Sequence, residues 1–305
     1  MRNAFIDELV RQASTNKRIA LIVGDLGYSV IEPFAEKFPE RFINAGVAEQ
    51  NMMGVAAGMA SEGYHVFVYS IANFPTFRCA EQIRNDVAYH NLPVTVVSVG
   101  GGMSYGNLGY SHHAVQDYAL LRAMPNMLIA APGDPIEARA CLRYICRYPQ
   151  PSYLRIGKAG EPNMHDCEVD ISPGSWLKVG NGNSHSQVKK ACITTGTTLA
   201  MARLMLKRLG KIDNYDLYSM PLWSMADKKR QALQVKNYQE VITIEDHLVD
   251  GGFGSWMLES MAQYEPEFVN RIKIRGLDSN VCGSVGKQDE LNAFGGLTQV
   301  GIFSK

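Results

Sequence analysis

The segment INAGVAEQNMMGVAAGMASEG, Ile43 to Gly63, sets an acid, Glu49, at the head of a run of small and apolar residues. From Glu49 to Ser61 the pattern reads as a helix, thinned by Gly54, Ala56, Ala57, Gly58 and Ala60. Glycine inside a helix costs about 1 kcal/mol against alanine, so two of them suggest that a ligand or another backbone comes close. An acid in a first helical turn has an ordinary use, which is to complement the helix dipole. It also has a chemical one. A carboxyl withdrawn from water holds its proton to higher pH and can share it with a ligand near neutrality. A second candidate is the Gly-rich loop GGGMSYGNLGYSHHAVQD (100–117), which carries the adjacent His112 and His113. Side chains next to each other in an extended loop point apart, so at most one of the two faces a given site. Metal ligation, proton transfer and plain packing stay open for either. Two shorter loops, GDLGYS (24–29) and ANFPTF (72–77), also follow strand-like runs and are further places to search.

These loops all follow apolar runs that read as buried strands: 18–24, 65–71, 93–100, 126–132 and 151–157. Helical patterns lie between them, at 30–37, 49–62, 76–90, 116–123 and 134–147. That alternation implies βαβ units and a parallel sheet covered on both faces, with ligands beyond the carboxyl ends of the strands. Around 158–188 the chain turns rich in Gly, Asn, Ser and Pro, with one short strand expected at 175–179. Alternation then resumes, with strands at 190–196, 214–220, 240–246 and 271–277 and helices at 197–209, 225–236 and 253–264. The expected fold is α/β, with two doubly wound domains: residues 1–160, a linker at 161–188, and a smaller, mostly parallel domain at 189–305.

The 305 residues suit two domains, and 30 basic residues balance 30 acidic ones without any charge block. Nothing marks a nucleic-acid footprint, a membrane anchor or a signal peptide. The six cysteines are scattered, with no CxxC, which fits buried thiols in a reducing compartment and makes the cytoplasm the expected location. No G-x-G-x-x-G follows a strand, and neither G-x-x-x-x-G-K-[ST] nor G-x-S-x-G occurs. Nicotinamide, P-loop and serine-hydrolase sites are therefore unsupported.

NAGVAEQNMMGVAAGMASEG, AEQIRNDVAYHNLPV, GYSHHAVQDYALLRAMPNM, APGDP and PSYLRIG, in that order, resemble the pyrimidine-binding domain of transketolase-type thiamine diphosphate enzymes. IEDHLVDGGFGSWMLESM and GSVGKQDEL resemble the C-terminal domain that follows it there. The resemblance implies that Glu49 pairs with a ring nitrogen of the cofactor's aminopyrimidine. Sharing that proton favours the imino tautomer, which deprotonates the thiazolium carbon. It implies that Phe74 stacks on the pyrimidine, that Ile71 stands where many relatives have a second aromatic residue, and that Asp25 lies by the cofactor. For Asp25 a helix N-cap is an equal alternative. His112 matches a histidine that bonds the donor's oxygens and moves protons. Arg155 matches an arginine that holds the substrate's phosphate or carboxylate, with a buried ion pair as its alternative. Ser29 is assigned with the substrate contacts.

Two departures touch substrate choice: Leu108 replaces an Asp that reads a sugar hydroxyl, and Gly100 replaces a histidine that aids phosphate binding. A third departure is larger. These enzymes hold the diphosphate through Mg²⁺ on a separate domain marked by GDG, and this chain has no GDG. The expectation is the pyrimidine-binding subunit of a two-subunit transketolase-like enzyme that moves a two-carbon ketol unit between sugars or sugar phosphates. A partner would supply the diphosphate and Mg²⁺ site, with two copies of each chain. The beta subunit of a 2-oxoacid dehydrogenase and a non-catalytic scaffold are the alternatives. Deoxyxylulose phosphate synthase is a related single-chain enzyme.

Overall fold

A computed structural model of the chain describes residues 1–180 and 189–303; the 181–188 part of the expected linker lies outside the described residues. Twelve strands are described. They are β1 (Ile19–Val23), β2 (Phe42–Asn44), β3 (His65–Ile71), β4 (Val94–Val99), β5 (Leu128–Ala130), β6 (Ser152–Ile156), β7 (Leu177–Gly180), β8 (Lys190–Thr194), β9 (Asp216–Ser219), β10 (Leu222–Trp223), β11 (Glu240–Leu248) and β12 (Ile272–Leu277). They build two sheets, ordered β10-β5-β6-β4-β3-β1-β2 and β12-β11-β8-β9-β7. Every pairing is parallel except β10 with β5 and β7 with β9, so the expected α/β architecture with two mostly parallel sheets is what forms.

The strand order decides where a ligand can enter. In the first sheet β1 leads outward to β2, and the chain then crosses back over β1 to reach β3. The carboxyl ends of β1 and β3 therefore diverge at a switch point, the crevice where open parallel sheets take ligands. The crossing element is the helix Glu49–Ser61, so its first residue opens onto that crevice. The second sheet has its own switch point, between β8 and β11.

Two short strands escaped the sequence reading. The three residues of β2 lie at an edge and are largely exposed, so they show no apolar run. The two residues of β10 leave the second sheet's stretch of chain and close the edge of the first sheet. The expected helix at 76–90 is broken into an α-turn at Asn73–Thr76, a 3₁₀ turn at Phe77–Cys79, an α-turn at Ala80–Gln82 and a π-helix at Ile83–Tyr89. Widened turns of this kind concentrate at functional sites. Among the described residues no helix is long and apolar enough to cross a membrane.

Three apolar cores hold these layers. One lies under the helices Arg2–Thr15 and Pro135–Arg147. Another joins the sheets, with Ile22, Met52 and Val68 in the same cluster as Ile193, Val241, Trp223 and Trp256. The third fills the far side of the second sheet and also takes in Met103 and Val115 from the loop 100–117. Trp223 is fully buried, packs on Tyr118, Phe253 and Trp256, and donates Nε1–H to Thr195 Oγ1 at 3.2 Å. Because it serves both sheets, Trp223→Ala is expected to destabilise the chain by about 3–5 kcal/mol. Denaturant unfolding should move as one transition; two transitions, with only one displaced, would contradict the shared core.

Candidate functional site

Glu49 begins its helix with only 5 % of its surface exposed, and no side chain caps the turn before it. Its Oε1 accepts from Arg78 Nη1 at 3.2 Å. The Arg78 guanidinium lies over the Phe74 ring, 4.2 Å from its centroid. Phe74 in turn meets the His112 ring edge-on at 5.2 Å, and Tyr105 meets His112 from another side at 6.3 Å. Lys158 Nζ stands 4.9 Å above the Tyr105 ring. The result is a wall of alternating charged and aromatic groups from the helix start to the end of β6. Three of the residues singled out in the sequence, Glu49, Phe74 and His112, are brought together here. Arg78 was missed. The signal was its spacing, four residues after Phe74 in a helical stretch, which places two side chains on one face.

The backbone at this end of the sheet is unusual. Asp25, Gly27 and Ser29 all have positive φ, at 55°, 100° and 64°. Left-handed conformations cluster at binding sites, and Asp tolerates them better than most residues. Asp25 accepts from Asn44 Nδ2 at 3.0 Å and Tyr28 Oη at 2.9 Å, and these bonds hold its carboxyl below the ordinary range. It caps no helix. Ser29 is exposed, and its N–H is held by Glu32 Oε1 at 2.8 Å. Ile71, half-buried, ends β3 at the same switch point. Ser70, just before it, is fully buried, and its Oγ has no hydrogen-bond partner. A Cβ on Gly24 would meet both Ser70 Oγ, at 3.6 Å, and Glu49 Cγ, at 3.7 Å, so the hydroxyl and the carboxyl flank one point at the end of β1.

The two histidines separate as their spacing required. His113 is buried, with Nε2 3.3 Å from the Gly106 carbonyl. His112 is half-exposed and faces Phe74. Leu108 is half-exposed in the turn Gly106–Leu108, and the neighbouring Tyr110 and the Val285 side chain are also exposed.

Two expectations need correction. Arg155 is held away from the crevice. It is buried, with Nε 2.8 Å from Asp117 Oδ2, Nη1 on Asp246 Oδ1 at 2.5 Å and Tyr118 Oη at 3.0 Å, and Nη2 on the Ala114 and Asp246 carbonyls. Burial alone would lower its pKa; Asp117 and Asp246 more than reverse this and hold it well above its usual value. The buried ion pair is the role it fills. Second, Gly54 and Gly58 do not thin the helix toward the crevice. Both are exposed, and a Cβ on either would meet nothing within 4 Å. The sheet-facing side of the helix is Met52, Met53, Ala56, Ala57 and Ala60.

The strand order, the buried helix-start carboxyl and its aromatic neighbour at the switch point define an α/β chain of two mostly parallel sheets with a candidate ligand crevice. Residues 1–160 match the model of the transketolase pyrimidine-binding domain, and the chain belongs to the transketolase family. It is 33 % identical over 301 residues to a putative transketolase C-terminal section from Methanocaldococcus jannaschii, covering 97 % of this chain and 92 % of that one. It is 32 % identical to one of the subunits of an apulose-4-phosphate transketolase from Phocaeicola vulgatus, covering 99 % and 94 %. Among solved structures, a split-gene transketolase in an inactive beta4 tetramer superposes with a TM-score of 0.85 at 29 % identity, covering 99 % of this chain and 95 % of that one.

Burial first, then the nearby His113 and Arg78, lower the His112 pKa from its usual 6.5. The charged imidazolium is disfavoured, so the ring stays neutral at neutral pH and somewhat below it. In an NMR titration the His112 ring protons should move below pH 6.5, and Arg78→Ala should shift the midpoint upward. A midpoint above 6.5 in the native chain would contradict this geometry.

Proposed function

We propose that this chain is the pyrimidine-binding subunit of a two-subunit transketolase that transfers a two-carbon ketol unit between sugars or sugar phosphates. The observation that carries the reading is Glu49: a buried carboxylate at the switch point, with an aromatic ring and an orphaned hydroxyl beside it. A structural acid would not need that setting. Relatives named as a transketolase C-terminal section and as a transketolase subunit span the same length, which supports a division of the enzyme between two chains.

The residues fit the pyrimidine half of thiamine diphosphate. Glu49 would take a ring nitrogen, Phe74 would lie against the ring, and the unpartnered Ser70 Oγ and Asn73 Oδ1 leave polar capacity nearby. When bound, the cofactor supplies the electron sink for carbon–carbon bond cleavage. Glu49 holds a proton at the ring nitrogen. Before a ligand arrives, Arg78 keeps the carboxylate oriented. His112, neutral, exchanges a proton with the donor's oxygen. Asp25, Ser29 and Ile71 line the same end of the sheet. Lys158, exposed above Tyr105, takes the anionic end of the substrate in place of Arg155. Leu108 offers no hydrogen bond to a sugar hydroxyl, so donor choice should differ from that of enzymes with an acid there.

Mg²⁺ and the diphosphate are assigned to the partner. The described acidic and imidazole groups that gather at ligand spacing are Asp134, Glu137 and His165. Their oxygens already serve Gly133 N, Glu137 N, Met164 N, Ser219 and His165. They follow β5, three strands from the switch point and so about 14 Å away across the sheet. The outward face of the helix Glu49–Ser61, with Gly54, Gly58 and the exposed Val55, and the exposed Val47, Phe77 and Tyr89 around it, suits that partner. Two copies of each chain would then complete two sites. Six unpaired cysteines are consistent with the cytoplasm.

In the reconstituted complex, Glu49→Gln should keep assembly and lose about 10²–10⁴-fold in turnover. Near-normal turnover would remove Glu49 from the chemistry. Lys158→Ala should raise KM for phosphorylated donors and leave unphosphorylated ones unchanged; an equal effect on both would return the anion site to another residue. The isolated chain should bind thiamine diphosphate weakly in calorimetry even with Mg²⁺ present. Tight Mg²⁺-dependent binding by this chain alone would overturn the division of the site.

A further inference from the structure

We infer that the second sheet's unit holds the His112 loop in place, and that Asp246 is a positioning residue for His112 acting through Arg155. This rests on the reading of His112 given above. The loop 100–117 leaves and re-enters the structure through a narrow neck. There Gly102 N–H donates to the Ala114 carbonyl at 2.9 Å and Ala114 N–H to the Gly102 carbonyl at 3.1 Å. His112 stands two residues before that closure.

The neck rests on groups of the second unit. Asp246, near the end of β11, pairs with Arg155, and Arg155 Nη2 donates to the same Ala114 carbonyl at 2.8 Å. Gly102 has φ +63°, and a Cβ there would run into the Asp246 carboxylate; a Cβ on Gly101 would run into the Arg155 guanidinium. Both glycines are therefore required by the closeness of the pair. Thr197 Oγ1 fixes the other Asp246 oxygen at 3.0 Å.

Three further grips act on the same loop. Leu248 N–H, at the end of β11, donates to the Val115 carbonyl at 2.9 Å. Gly106 is pressed against the Gly286 carbonyl and Leu291. Met103 and Val115 are fully buried in the core formed by Cys192, Leu199, Ile244 and Leu277. The loop belongs by sequence to the first sheet, and its apolar anchors belong to the second unit's core.

Asp246 and Thr197 sit where a doubly wound sheet takes a ligand, and they line an open cavity there together with Ser104 and Lys158. Asp246 turns its other oxygen to Arg155 from the first sheet.

Hydrogen exchange on the full chain tests this without reference to turnover. Asp246→Asn keeps an acceptor for Arg155 and removes the charge. Residues 100–117 should exchange at least about 10-fold faster, with the helix Glu49–Ser61 and strands β1, β3 and β4 unchanged. Met103→Ala, which loosens the apolar anchor and leaves the ion pair, should produce the same local pattern and serves if the first variant loses its fold. Unchanged exchange in the loop in a folded variant overturns the inference. In the reconstituted complex, Asp246→Asn should lower kcat by about 10- to 100-fold while the half-saturating cofactor concentration stays within about twofold. A merely structural loss would lower stability and leave turnover per folded molecule intact, which also overturns it. A wild-type complex without ketol transfer would refute the proposed reaction, and the exchange result would still decide the loop's anchoring.

Discussion

A guanidinium cannot be left unpaired inside a protein, and the burial of Arg155 governs how this chain is put together. Removing one partner from such a buried pair costs about 3–5 kcal/mol, because the remaining charge has no water to turn to. Arg155 ends a strand of the first sheet, and Asp246 lies near the end of a strand of the second. Asp117 opens the helix that follows the long loop. One charge therefore fixes three elements from two sheets at a single point. Around it Tyr118 and Tyr153 supply hydroxyls, Tyr118 stacks on His247, and His247 Nε2 takes the Ala119 N–H at 3.3 Å. Burial lowers the His247 pKa, so the ring adds no second charge beside the guanidinium.

The contrast between the two switch points follows from that pair. Both sheets have the strand order that opens a crevice at their carboxyl ends. In the second, Arg155 on Asp246 and Gly196 N–H on the Ala131 carbonyl at 2.8 Å tie the first sheet to the crevice, which stays open beside Thr197 and Ser104. In the first, it is lined by Asp25, Ile71, Phe74 and Glu49, and Arg78 is the side chain that covers it. Arg78 is half-exposed, and a half-exposed ion pair contributes little to stability. A ligand that offers Glu49 a better hydrogen bond and Phe74 a larger flat surface can displace it at small cost.

Much of this was legible in the residues. The alternation of apolar runs with helical patterns gave the two α/β sheets, and the strand-end loops it marked are where Glu49, Phe74 and His112 come together. Glu49 and the His112–His113 pair stood out by type and context, and Phe74 by the family resemblance. What failed did so for physical reasons. Arg155 lies in a strand, and nothing local says whether a strand-end arginine points outward or into an interface, since its partners, Asp117 and Asp246, are 38 and 91 residues away. Gly54 and Gly58 lie on the open face of their helix, and periodicity alone did not say which of its two faces they occupied. Arg78 sits where the expected helix breaks into α, 3₁₀ and π turns. There the helical spacing that points it at Glu49 holds over one turn only.

The same facts bear on the proposed sharing of the site between chains. The first switch point is walled on one side by the loop 100–117, which the second unit grips, and below by the helix start. Its remaining rim is Val47, Tyr28 and Phe77, all exposed. Apolar residues singly exposed are ordinary, and Val55 and Tyr89 are exposed as well, as are Gly54 and Gly58 on the helix Glu49–Ser61. Glycines on an open helix face cost stability and gain nothing in an isolated chain; against a second backbone they allow close contact. An acid kept from water on the buried side of that helix and bare glycines on its open side suit the proposed cleft, which another chain would close.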